Sequence, residues 1–168
     1  MIQGTGDDLG AEEGKDEGKS AWLVALQTKC KKMIEILPTQ LELLNRTSQA
    51  IQNPLFRFLE REVTVASSLL DIVKRDLVLL IDMCAGKRKS TNALKKLAEE
   101  LFADMIPKTW RKYTVANISA TAWVTDFVKR VVQLKVLSGK TDFGQSGLWL
   151  GGLLFPEAYL TATRQSVA

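Results

Sequence analysis

Asn53-Pro54 and Gly86 bracket the stretch that most constrains the fold open to these 168 residues. Asparagine caps a helix start through its side-chain oxygen, proline suits the first helical position, and glycine suits the left-handed residue beyond the end. Together they predict one long helix from about Pro54 to Cys84. Leu55, Leu59, Ala66, Leu69, Leu70, Val73, Leu77, Leu80, Ile81 and Cys84 recur at three- and four-residue intervals and form one apolar stripe. Arg57, Glu60, Arg61, Asp71, Lys74 and Arg75 take the other side, with Asp71 and Arg75 spaced as an i,i+4 ion pair. From Leu77 to Ala85 only Asp82 is polar, so the apolar surface wraps around the helix. Such a helix needs cover on several sides. The expected fold is all-α, a multi-helix bundle around one long central helix, and the apolar wrap points to a larger assembly.

The flanking segments supply the other helices. Ser20 can cap a helix to about Leu37, with Trp22, Leu23, Leu26, Cys30, Met33, Ile34 and Leu37 apolar and Pro38 as its stop. A shorter helix is expected from Thr39 to about Arg46. Ser90 or Thr91 caps another, to about Asp104, with Leu94, Leu97, Ala98, Leu101 and Phe102 inward. Residues 109–118 suit an irregular connection. Ser119 opens a helix to about Leu137, carried by Trp123, Phe127, Val131, Leu134 and Leu137. The run Leu148–Phe155 holds Gly151 and Gly152 and suits an extended segment buried against helices. Pro156 and Glu157 start a last helix. Residues 1–19 hold five glycines, six acids and almost no large apolar group, so they are expected to be a disordered acidic leader before a helical domain over 20–168. The sequence stops within a helical pattern, which is expected of a fragment, a split gene product or a short-form C-terminus.

Composition narrows the chemistry. There is no histidine, which removes Ser–His and Cys–His nucleophile activation. Cys30 and Cys84 are the only cysteines, too few for a zinc site, and are expected as reduced thiols within helices. Gly18-Lys19-Ser20 lacks the glycine that a phosphate-binding loop needs five residues earlier, where Glu13 stands. Glu60, Glu62, Glu99 and Glu100 are expected on solvated helix faces. No catalytic residue, cofactor or metal is therefore expected. The net charge of +4 is uneven, because the leader is acidic and the remainder basic. Lys87-Arg88-Lys89 is expected to be solvated cation beside a helix C-terminus. Trp110 and Tyr113, among Lys108, Arg111 and Lys112, form one short cluster rather than a repeated stacking groove, so nucleic-acid binding is not expected. No apolar run reaches membrane-spanning length and no signal peptide is visible, so a soluble intracellular protein is expected.

Three stretches carry a resemblance. Asn53-Pro54-Leu55-Phe56-Arg57-Phe58-Leu59-Glu60-Arg61-Glu62, Ile106-Pro107-Lys108-Thr109-Trp110-Arg111-Lys112-Tyr113 and residues 150–165, LGGLLFPEAYLTATRQ, resemble the C-terminal region of cytoplasmic dynein heavy chains. The similarity covers roughly residues 21–168 and is closer to the cytoplasmic than to the axonemal branch. It implies the segment after the sixth AAA+ module of an ATP-driven, minus-end-directed microtubule motor. That segment packs on the AAA+ ring, stiffens or regulates it, and does not hydrolyse ATP. Accessory subunits and microtubules would be reached only through the complete motor, in the cytoplasm and on the cytoskeleton. The terminal β-barrel of the animal proteins is absent from these residues. The positions singled out by the motifs are Pro54, Phe56, Phe58, Pro107, Trp110, Trp149, Gly151, Gly152, Pro156, Glu157, Tyr159 and Arg164. Trp149, Gly151, Gly152 and Phe155 suit a ring-docking element or an internal corner of the domain. The alternative function is a free-standing helical adaptor derived from that domain.

Overall fold

A computed structural model describes residues 10–114, 117–139 and 147–167. The fold is all-α. Its helices are α1 (Gly10–Ile36), α2 (Pro54–Cys84), α3 (Asn92–Phe102), α4 (Ala120–Ser138) and α5 (Pro156–Val167). Short 3₁₀ turns occupy Ala50–Gln52, Arg111–Tyr113 and Leu150–Gly152. Among the described residues no helix is long and apolar enough to cross a membrane.

Helix α2 is the spine, with the expected boundaries. Asn53 Oδ1 accepts from the Leu55 N–H at 3.0 Å, which satisfies one orphan donor of the first turn. At the other end Gly86 adopts φ +75°. Its N–H donates to Met83 O, and Lys87 N–H donates to Asp82 O, the paired bonds of a Schellman ending. The buried face contains Leu59, Val63, Ala66, Leu69, Leu70, Val73, Leu77 and Leu80, and also Glu62 and Asp76. The expected Asp71–Arg75 pair gives way to another, with Arg75 Nη2 lying 3.8 Å from Asp76 Oδ1.

Helix α1 runs antiparallel along α2. Gln27 Nε2 donates to Ile81 O at 3.4 Å, and farther along the sequence Ser67 Oγ donates to Leu41 O at 3.2 Å. Leu26, Cys30, Met33 and Leu37 enter the core. The helix begins at Gly10 rather than at Ser20. Propagating an existing helix needs no new nucleus. The helical backbone thus overlaps the expected leader from Gly10 on, and residues 1–9 lie outside the described residues. The expected helix over 39–46 does not form. Leu41 is buried while Leu43 faces solvent, so the segment is a strap held at single points. Lys74 Nζ ties it further by donating to Thr39 O.

The remaining helices close the core. Thr91 Oγ1 caps α3 through Leu94 N–H at 3.2 Å, and Ser119 Oγ caps α4 through Ala122 N–H at 3.1 Å. Helix α3 ends at Phe102, two residues early, because Asp104 turns left-handed. Phe102 points outward, 48% exposed, and tilts against Trp22 with ring centres 5.2 Å apart. Helix α4 buries Trp123, Val124, Phe127, Val131, Leu134 and Leu137. Trp110, Trp123 and Phe127 make a row with centroid separations of 5.4 and 5.1 Å. Residues 140–146 lie outside the described residues. The run 148–155 is extended at its ends, with the 3₁₀ turn between them. Cys30 and Cys84 are both free. Burial, then the neighbouring Cys84, pushes the Cys30 thiol up to about 12, so it stays protonated and inert.

Candidate docking surface

Glu62 and Asp76 stand fourteen residues apart in the buried register of α2. Four helical turns take nearly that many residues, so both project from one side, roughly 21 Å apart along the axis. Each holds a different non-helical segment against the spine. Glu62 is fully buried. Its Oε2 accepts from Leu154 N–H at 2.9 Å and its Oε1 from Phe155 N–H at 2.5 Å. A carboxylate with both oxygens engaged in this way clamps the backbone just before α5. Burial raises its pKa, while the two N–H groups, Arg130 and Arg61 pull the other way. The expectation that Glu62 is solvated is therefore corrected. It faces inward because it falls three residues after Leu59 and four before Ala66.

Asp76 anchors the second segment. Its Oδ2 accepts from Trp110 Nε1 at 2.9 Å and from Thr109 Oγ1 at 3.1 Å. The Trp110 indole is thus fully buried and still satisfied. Pro107 is buried beside it, and Arg111 Nε donates to Ile106 O at 2.8 Å to close the loop.

The third stretch forms a rim on α4. Gln133 grips the Trp149 backbone twice, its Oε1 accepting from Trp149 N–H at 2.9 Å and its Nε2 donating to Trp149 O at 3.1 Å. Arg130 lies 5.3 Å from the centre of the Trp149 ring and is fixed by Asp126 at 2.7 Å. The indole closes over the Gly-Gly pair. A Cβ on Gly152 would stand 2.2 Å from Trp149 Cε3, and one on Gly151 would stand 3.0 Å from Nε1. The glycines are needed for this ring rather than for a neighbouring helix. Trp149 remains 44% exposed and the adjacent Leu150 42% exposed, so the rim presents apolar surface outward.

The motif positions divide into three sets. Phe58, Pro107, Trp110 and Gly152 are buried, and Tyr159 packs edge-on against Phe58 at 5.4 Å. Pro54 and Phe56 are half-buried at the start of α2. Trp149, Gly151, Pro156, Glu157 and Arg164 are exposed. Phe155 connects the three stretches, with Arg61 4.0 Å above its ring and Tyr113 edge-on at 5.8 Å. The three motifs, far apart in sequence, converge on one spine.

A family model, that of the C-terminal domain of the dynein heavy chain, matches residues 2–168. The protein belongs to this family. It is 45% identical over 157 residues to "Dynein heavy chain, cytoplasmic" of Paramecium tetraurelia, an alignment that takes in 94% of this sequence and 4% of that protein. Against the Drosophila melanogaster protein of the same description, identity is 42% over 160 residues, covering 91% of this sequence and 3% of the relative. Against that of Caenorhabditis elegans it is 38% over 170 residues, covering the whole of this sequence and 4% of the relative. The protein therefore spans a few hundredths of the length of the curated relatives it matches.

Three acidic residues of this dynein C-terminal domain were not singled out as motif positions, although Glu62 closes the first stretch. Glu62, Asp76 and Asp104 make the connections between segments. For Glu62 and Asp76 a signal was present, since both fall in the three-and-four spacing of an apolar stripe, where a carboxylate needs a buried partner.

Proposed function

We propose that the protein is a non-catalytic structural and regulatory C-terminal segment of a dynein heavy chain, packing on the AAA+ ring of an ATP-driven, minus-end-directed microtubule motor. The observation that carries this reading is the Trp149–Leu150 rim. Two neighbouring large apolar side chains face outward from a backbone held by Gln133, on a helix whose other face is core. An exposed apolar pair on rigid support suits docking. Family membership supports the ring as its counterpart. The absence of catalysis is supported by the two buried carboxylates, whose oxygens are occupied by backbone, indole and hydroxyl donors and serve to hold segments together. In this reading accessory subunits and microtubules are reached only through the complete motor, in the cytoplasm and on the cytoskeleton.

The test is a pull-down of the tagged 168-residue protein against a dynein ring truncated before this segment, with and without ATP. Retention that falls at least tenfold with Trp149→Ser and Leu150→Ser together is expected. ATP-dependent retention would add that the segment senses ring state. No retention of a protein that melts cooperatively would overturn ring docking in favour of a free-standing adaptor.

A further inference from the structure

A second surface lies toward the other end of α2 from the Glu62 clamp, where the C-terminal half of α2, the turn after it, α3 and the Pro107–Thr109 loop enclose a cleft of about 990 Å³. Six cations line it: Arg75, Lys87, Arg88, Lys89, Lys96 and Lys108. Among the described residues only two carboxylates share the lining, and both are committed. Asp76 holds the Trp110 indole, and Glu100 Oε2 accepts from Lys108 N–H at 3.0 Å. The floor is apolar, made by Leu79, Leu94 and Leu97. Helix α3 opens into the cleft at Thr91 and has no acidic residue in its first turn, so the positive end of its dipole adds to the field.

Cations gathered from four segments around one cleft do more than offset a single helix C-terminus, so Lys87–Lys89 belong to a wider basic rim. An all-polar anion would leave the floor unused. A single-stranded nucleic acid would need aromatic faces, and among the described residues none lines the cleft, since Trp110 is fully buried behind Asp76. Apolar floor and cationic rim together match one chemistry. We propose that this cleft binds an acidic amphipathic helix of a partner protein, its apolar side on Leu79, Leu94 and Leu97 and its carboxylates toward the lysines and arginines. This surface is separate from the Trp149 rim and does not depend on ring docking.

The probe is a fluorescein-labelled peptide with Leu and Glu at helical spacing, titrated with the 168-residue protein and followed by anisotropy. Polyglutamate and a thymidine oligonucleotide serve as competitors. Saturable binding is expected, weakened by salt. Replacing Lys87, Arg88 and Lys89 together by Glu is expected to weaken it at least tenfold. Ala93→Glu, a charge at the exposed mouth of the cleft that leaves the core untouched, is expected to do the same and decides the matter if the triple variant melts early. The proposal is overturned if the peptide does not bind, if neither variant weakens it, or if polyglutamate or the oligonucleotide displaces it at equal concentration of charge. The rim variants Trp149→Ser and Leu150→Ser should leave peptide binding unchanged, which separates this cleft from ring docking.

Discussion

Asp104 sits at φ +55°, a left-handed backbone that costs an ordinary residue free energy. The cost is offset locally. Its Oδ1 accepts from Thr121 N–H at 3.1 Å, Thr121 Oγ1 at 2.9 Å and Lys29 Nζ at 2.9 Å, and its carbonyl accepts from Ala120 N–H. One residue ends α3, starts α4 and holds α1. Lys29 also donates to Leu101 O at 2.8 Å, placing its charge at the negative end of α3. Partial burial alone would raise the Asp104 pKa, but the Lys29 and Thr121 hydrogen bonds and the Lys29 charge hold it below the usual 3.8. Its contribution to stability is therefore present above 3.8 and lost as pH falls through the lowered midpoint. Glu62 has the opposite sign. Burial lifts it above 4.5, so its contribution is full below 4.5 and lost as pH rises through the raised midpoint. Urea midpoints across pH should show the wild type losing ground against Asp104→Asn only as pH falls below 3.8, and against Glu62→Gln only as pH rises above 4.5. Parallel profiles would contradict both assignments. Trp110→Phe removes the indole donor and leaves Asp76 buried with Thr109 as its remaining strong donor. Urea unfolding should show a loss of roughly 2–4 kcal/mol.

At the scale of elements, helix ends follow local chemistry and the irregular segments follow their anchors. Gly86 and Asp104 each turn the backbone left-handed beyond a helix end, and only the glycine announces itself. The Trp149–Gly152 turn is coupled internally. Gly152→Ala forces the indole off the turn, because the new Cβ and the ring would overlap. The ring is partly exposed and can swing out, so the expected loss is about 1–2 kcal/mol with a red-shifted tryptophan emission. In a Trp149→Ala background the same change should cost under about 0.5 kcal/mol, and a double-mutant cycle checks this. Equal costs in both backgrounds would mean that Gly152 is needed for something other than Trp149. Trp149→Ala by itself should be mild, since the indole is a rim group rather than core.

For the whole molecule, the residues after Gly147 complete the long helix as well as follow it. Without them Glu62 would remain on α2 while the Leu154 and Phe155 amides that satisfy it disappear. A truncation ending at Gly147 should melt at a markedly lower temperature, because a buried carboxylate without partners is expensive. Glu62→Leu should recover part of that loss in the shortened form and destabilise the full-length one. Thermal melts of the four proteins test this, and a Glu62→Leu change that is equally damaging in both lengths would refute the clamp.

The sequence determined α2 from Asn53 to Gly86, the cap at Ser119, the α3 cap as Ser90 or Thr91, the apolar faces of α1 and α4, and the family, because capping, periodicity and motif order are properties of adjacent residues. The early start of α1, the strap at Thr39–Arg46, the exposure of Trp149 and the partners of Glu62, Asp76 and Asp104 were settled only by the tertiary structure. A carboxylate on a helix is solvated or buried according to which segment arrives beside it. That depends on contacts such as Glu62 with Phe155, ninety-three residues apart, which no local pattern encodes.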